Sequence, residues 1–182
     1  CGREREIMQD ILVVVDMQND FIDGTLGSEE ALAIVPKVKE KIQDFSGKTF
    51  FTQDTHRENY PDTQEGRNLP ISHCIRNTRG WQIHPELERC KSEAVIEKMA
   101  FGSVELSEML KIEHQNDPLK SITFVGLCTD ICVISNAMLA KAFLPEVEIV
   151  VDASCCAGVT PKSHKTALEA MRACQIRIEN EI

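Results

Sequence analysis

Three residues far apart in the sequence, Asp16, Lys98 and Cys132, each follow a short apolar run that reads as a buried strand. In open parallel sheets ligands collect beyond the carboxyl ends of strands, so titratable side chains there outrank the same types elsewhere. Asp16 closes the run Ile-Leu-Val-Val-Val at 11–15, Lys98 lies just past Val95 and Ile96, and Cys132 follows the 121–125 run by a short turn. A helix starting near Thr129 as N-cap puts Cys132 in its first turn, where free backbone N–H groups favour a thiolate. Lys98 nearby would lower that thiol further, while Asp16 would accept its proton and later hand it to a leaving group. Backbone N–H groups of Cys128 and Cys132 are placed by the same turn to form an oxyanion hole. Taken singly each residue is ordinary: a turn carboxylate, a surface ammonium, a packed thiol. Their meeting in space is what the chemistry requires.

A second constellation lies in the long segment 53–89. Asp54-Thr-His56 sets a carboxylate and an imidazole just beyond a strand, His73 returns from the far end, and Glu65 falls between them. Two imidazoles with carboxylates suit a divalent cation, zinc ahead of iron or manganese, rather than a soft all-thiolate site. The competing reading is a loop pair and a satisfied polar histidine. His84, His114 and His164 sit near no expected strand end and read as structural or surface residues.

Those side chains need a frame. Apolar runs at 11–15, 49–52, 94–96, 121–125 and 147–151, with a weaker one at 175–178, read as strands. Helical patterns run from a first-turn Pro36 through Val38, Ile42 and Phe45, then over 104–112, 129–143 and 161–174. Strands alternating with helices predict right-handed βαβ crossovers and an α/β fold, a three-layer αβα sandwich on a mostly parallel sheet of six strands. The 53–89 segment has no clear period and carries Pro61, Gly66, Pro70, Gly80 and Pro85, which marks a functional loop.

Composition excludes other classes. The 182 residues, 42% of them apolar, fit one compact domain over 8–182, with residues 1–7 read as an N-terminal extension before Met8. A net charge of -9 lacks the basic face that nucleic acid demands. No run approaches the roughly 20 apolar residues of a membrane span, and the charged start is unlike a signal peptide, so the expected location is the cytoplasm. The eight cysteines form no C-x-x-C pair and read as reduced packing residues. The nearly all-apolar helix at 131–143 must be covered by its own sheet or by a second copy, which leaves a homo-oligomer open.

Asp16-Met-Gln-Asn-Asp-Phe21, Asp54-x-His56, His73-Cys74, Lys98 and Gly126-Leu-Cys-Thr-Asp-Ile-Cys132 together resemble the isochorismatase-like cysteine hydrolases, nicotinamidases above all, over about residues 10–178. The resemblance implies a catalytic triad of Asp16, Lys98 and Cys132, a thioester intermediate, and a cis peptide between Leu127 and Cys128. It also implies a metal on Asp54, His56 and His73, with Glu65 as the further ligand, and a substrate wall of Phe21, Leu127 and Cys128. The expected substrate is a small-molecule amide, nicotinamide first, for NAD salvage. An N-carbamoyl or ureido amidase is the alternative. A vinyl ether hydrolase fits less well, since those members commonly lack the cysteine, and a metal-binding or thiol-sensing module would not need Lys98. Pro70, Thr55 and Ile131 depart from aromatic positions common in nicotinamidases, so Tyr60 or Trp81 is expected to supply the missing wall. Cys128 stands where alanine is usual and reads as an inert small residue rather than a redox partner of Cys132.

Overall fold

A computed structural model describes residues 8–182; the extension expected at 1–7 lies outside the described residues. In chain order the elements are β1 (Gln9–Val15), α1 (Asn19–Ile22), α2 (Glu29–Asp44), β2 (Lys48–Asp54), α3 (Gln64–Asn68), α4 (Pro85–Glu88), β3 (Ala94–Lys98), α5 (Val104–Asn116), β4 (Leu119–Leu127), α6 (Ile134–Phe143), β5 (Glu148–Ala157), α7 (Pro161–Ala173) and β6 (Arg177–Glu179). The six strands form one sheet in the order β3-β2-β1-β4-β5-β6, and every neighbouring pair is parallel.

Alternation along the central strand divides the core. Ile11, Val13 and Val15 of β1 pack with Leu106 and Leu110 of α5, Ala137 and Ala140 of α6, and Leu168 and Met171 of α7. Leu12 and Val14 point the other way, onto Ile34, Val35, Val38 and Ile42 of α2. Helices therefore cover both faces, the three layers expected of a parallel sheet whose strands are apolar on both sides. The apolar helix left needing a cover is α6, and its buried face lies on its own sheet, so a second copy is not required there.

Two helix starts differ from the sequence expectation. Ser28, not Pro36, opens α2, its side chain accepting the amide of Ala31, and Pro36 sits inside the helix. Proline removes one intrahelical donor. Here that falls on the exposed stripe of the helix, where Pro36 and half-exposed Leu32 both lie. Thr129 is likewise not the cap of a regular helix: Cys128 is the cap, and residues Thr129–Val133 form one wide π turn before α6.

The long segment after β2 is ordered by the residues that follow β1. The Gln18 side-chain amide donates to the carbonyls of Asp54 and Trp81, that of Asn19 donates to Arg79, and Asp20 accepts from the amide of Cys74. Gly80 closes over Asp20 so tightly that a Cβ would stand 2.1 Å from its carboxylate. The Gln-Asn-Asp stretch is thus a clamp that folds 55–84 over the sheet edge.

Candidate active site

The strand order places the carboxyl ends of β3, β2, β1 and β4 side by side, and each brings one reactive group. Asp16 follows β1 with a left-handed backbone, φ +49, that turns its carboxylate off the strand line. Its Oδ1 accepts from the Thr52 hydroxyl at 2.7 Å. Lys98 ends β3, and its ammonium stands 2.7 Å from Asp16 Oδ2, 3.2 Å from Asp54 Oδ1 and 3.3 Å from Cys132 Sγ, with a further bond to the Ala100 carbonyl. Asp16, Lys98 and Cys132 are all at least 95% buried. The contact expected from the sequence is therefore made.

Protonation in this cluster follows from burial and the two carboxylates. Burial opposes the charge on Lys98, but Asp16, Cys132 and Asp54 outweigh it and hold the ammonium pKa well above its usual value. Burial raises the Asp16 carboxyl against the pull of Lys98. Burial also pushes the Cys132 thiol well up, and the Asp16 charge adds to the effect while Lys98 opposes it. Burial and the Asp16 and Asp54 charges thus work against the thiolate that the helix start was expected to favour, with Lys98 opposing them. Beside the Cys132 sulfur the buried Asp16 carboxyl has an Oδ2 that takes no aligned hydrogen bond, which is the arrangement a proton acceptor needs.

The turn carrying the thiol has a cis peptide between Leu127 and Cys128. The Cys128 carbonyl accepts the amides of Ile131 and Val133 but not that of Cys132. Thr129 is fully buried, with its hydroxyl 2.7 Å from His164 Nδ1, and Asp130 accepts from the Val159 amide. His164, expected to be remote from strand ends, in fact ties α7 to the turn that carries Cys132. Burial pushes the Cys128 thiol up to about 12, so it stays neutral.

Beside the thiol, Asp54, His56, Glu65 and His73 each offer one ligand atom, all within 4.8 Å of one another. His56 Nε2 lies 2.9 Å from Asp54 and 3.5 Å from Glu65, and His73 Nε2 lies 3.7 Å from each. Tetrahedral ligands about 2.1 Å from an ion stand about 3.4 Å apart, so the four atoms fit one divalent cation. The His73 Nδ1–H donates to the Ile71 carbonyl at 2.8 Å, which leaves the Nε2 lone pair facing the cluster. Burial presses His56 toward its neutral form, but its bond to Asp54 and the nearby carboxylates reverse this and raise its pKa.

A cleft of about 760 Å³ is lined by Phe21, Leu127, Cys128 and Cys132 together with Asp54, Glu65 and His73. Two expected wall residues are elsewhere. Tyr60 packs edge-on against His56 and His73, at ring separations of 4.8 and 5.0 Å, and donates its hydroxyl to Leu69. Trp81 donates to the Thr55 hydroxyl, while its carbonyl receives the Gln18 and Gln53 amides. Both rings are used to build the loop rather than the cleft. Leu69, Met99, Phe101 and Val159 take the wall instead, and nothing in their sequence context marked them.

The model of the Isochorismatase domain matches residues 10–180 of the sequence. The chain belongs to the isochorismatase family. Within it, the chain is 26% identical over 182 residues to the nicotinamidase/pyrazinamidase of Mycobacterium tuberculosis, spanning 92% of this chain and 96% of that one. A crystal structure of Pyrococcus horikoshii pyrazinamidase in complex with zinc superposes with a TM-score of 0.80 at 29% identity, covering 93% and 98% of the two chains. Bacillus subtilis nicotinamidase, at 24% identity, shares the fold with a TM-score of 0.76 over 93% and 98%. The family and its fold are those expected from the motifs.

Proposed function

We propose that the protein is a metal-dependent carboxamide hydrolase of the nicotinamidase type, converting nicotinamide and water to nicotinic acid and ammonia. The observation that supports it most is the buried contact of Lys98 with both Asp16 and Cys132, where the Cys132 thiol lines a cleft that Asp54, Glu65 and His73 of the four-ligand cluster also line. Zinc is the proposed ion, in keeping with the zinc-bound pyrazinamidase among the similar structures.

In the proposed reaction the Cys132 sulfur attacks the carboxamide carbon as Asp16 takes the thiol proton. The Cys128 and Cys132 amides receive the developing oxyanion. Asp16 then returns the proton to the amide nitrogen, the C–N bond breaks, and ammonia leaves a thioester on Cys132. Water, deprotonated by Asp16, attacks that thioester; the C–S bond breaks, the acid departs, and the thiol is restored. Lys98 keeps the carboxylate aimed and offsets charge on the sulfur throughout. A cation on Asp54, His56, Glu65 and His73 would bind the pyridine nitrogen as a Lewis acid, and Phe21, tilted against His73 at 5.4 Å, would flank the ring.

For the alternative, an N-carbamoyl or ureido amidase, any substrate that carries a carboxylate would enter a cleft whose described lining has no lysine or arginine, and Lys98 is already occupied by two carboxylates. Ammonia release from nicotinamide tests the reading. The wild-type protein is expected to release it and Cys132→Ala to lose nearly all of that rate; activity surviving the substitution would reject the covalent mechanism.

A further inference from the structure

The cleft is larger and more apolar than a single-ring amide requires. Its volume of about 760 Å³ falls within the roughly 300–1,000 Å³ of sites that enclose drug-sized ligands. Its buried lining includes Cys132 and, from the metal-type cluster, Asp54 and His73. Its mouth is built by three separate segments: Leu69 after α3, Met99 and Phe101 after β3, and Val159 after β5. These four side chains are 38%, 68%, 47% and 59% exposed, so the fold buries none of them for its own stability. Apolar side chains converging from three segments on one opening mark a binding surface rather than scattered exposure.

Charge narrows the ligand further. The charged side chains of the described lining, Asp54, Glu65 and His73, all belong to the metal-type cluster, while Gln64 and Asn68 add only neutral polar groups. An anionic substituent would find no counter-ion in this lining and would enter a protein of net charge -9.

We infer that the preferred substrate is a carboxamide carrying a bulky, uncharged, apolar group beyond the ring that bears the amide, received by Phe101, Met99, Leu69 and Val159. This inference rests on the carboxamide hydrolase reading and gives its substrate class. Phe101 and Val159, on opposite chain segments, are the specificity-determining residues, and neither touches the reacting atoms.

The experiment compares kcat/KM for ammonia release by the metal-loaded full chain from nicotinamide, its 5-phenyl and 6-phenyl derivatives, and the para-carboxylate of each phenyl compound. All five keep the pyridine nitrogen and the amide. At least one phenyl compound is expected to exceed nicotinamide tenfold, mainly through KM, and its carboxylate to fall back by a similar factor. Phe101→Ser and, separately, Val159→Ser are expected to lower the phenyl-to-nicotinamide ratio about fivefold, with thermal melting used to verify that each variant is folded. Both side chains are already solvent-exposed, so neither change empties the core. Nicotinamide turnover with both phenyl compounds at or below its kcat/KM would overturn the substrate class alone. A folded variant pair with unchanged ratios would overturn the residue assignment. No release from any of the five would overturn the amidase reading itself, and this inference with it.

Discussion

Lys98 is an interior cation touching two carboxylates and a sulfur, and removing it exposes how far the site depends on charge pairing. In Lys98→Met the carboxylates of Asp16 and Asp54 are left buried with no ammonium between them. Breaking a buried pair by deleting one partner costs about 3–5 kcal/mol, against roughly 0.5 kcal/mol for a surface lysine. Urea denaturation is expected to show the larger loss together with loss of amide hydrolysis, and a change below 1 kcal/mol would mean that Asp16 and Asp54 are protonated or solvated. His56→Ala separates metal from fold. Elemental analysis of the purified variant is expected to show most of the bound divalent ion gone, and unchanged metal content would reject His56 as a ligand. These residues were legible in the sequence because each is a reactive type at the end of an apolar run. Tyr60 and Trp81 were misplaced for the opposite reason. A ring's choice between a cleft and a loop interior is decided by partners such as the Leu69 carbonyl and the Thr55 hydroxyl, and sequence spacing carries no record of them.

Elements fix the site through contacts that the strand-and-helix pattern does not encode. The crossover alternation gave the sheet, but the clamp of Gln18, Asn19 and Asp20 and the tie between His164 and Thr129 join residues 35 to 63 positions apart, beyond the reach of any period. The His164 tie has a pH signature. Burial, its largest influence, pushes the imidazole below 6.5, with Lys165 acting the same way and Asp130 and Glu181 opposing. A depressed histidine favours the neutral form in the fold. As pH falls below 6.5 the unfolded chain takes up the proton first, so stability declines until the folded pKa is passed. His164→Gln keeps a hydrogen-bonding group without the titration. Unfolding free energies measured from pH 7.5 to 5 are expected to fall more steeply in the wild type than in this variant; identical slopes would show that His164 has no depressed pKa.

At the scale of the whole molecule, the sheet order is what assembles the proposed site. Lys98, Asp54, Asp16 and the Cys132 turn sit at the ends of four contiguous strands, β3-β2-β1-β4, so neighbouring strands about 4.8 Å apart bring them together without long side-chain reach. The weak point of that arrangement is where β4 passes β1. Gly126 has φ +117, and a Cβ there would lie 2.2 Å from the Val15 carbonyl, one residue before Asp16 and two before Cys128. Gly126→Ala must therefore either adopt a left-handed backbone against its side chain or push the two strands apart, at a penalty of at least about 2 kcal/mol. Because the displaced strands carry Asp16 and the Cys132 turn, the proposed proton acceptor and nucleophile, stability and catalysis should fail together. The expected result is a clearly lower melting temperature with amide hydrolysis reduced even at temperatures where the variant remains folded. A variant that melts early yet hydrolyses at the wild-type rate when folded would show that the β1-β4 approach supports the fold without setting the distance between Asp16 and Cys132.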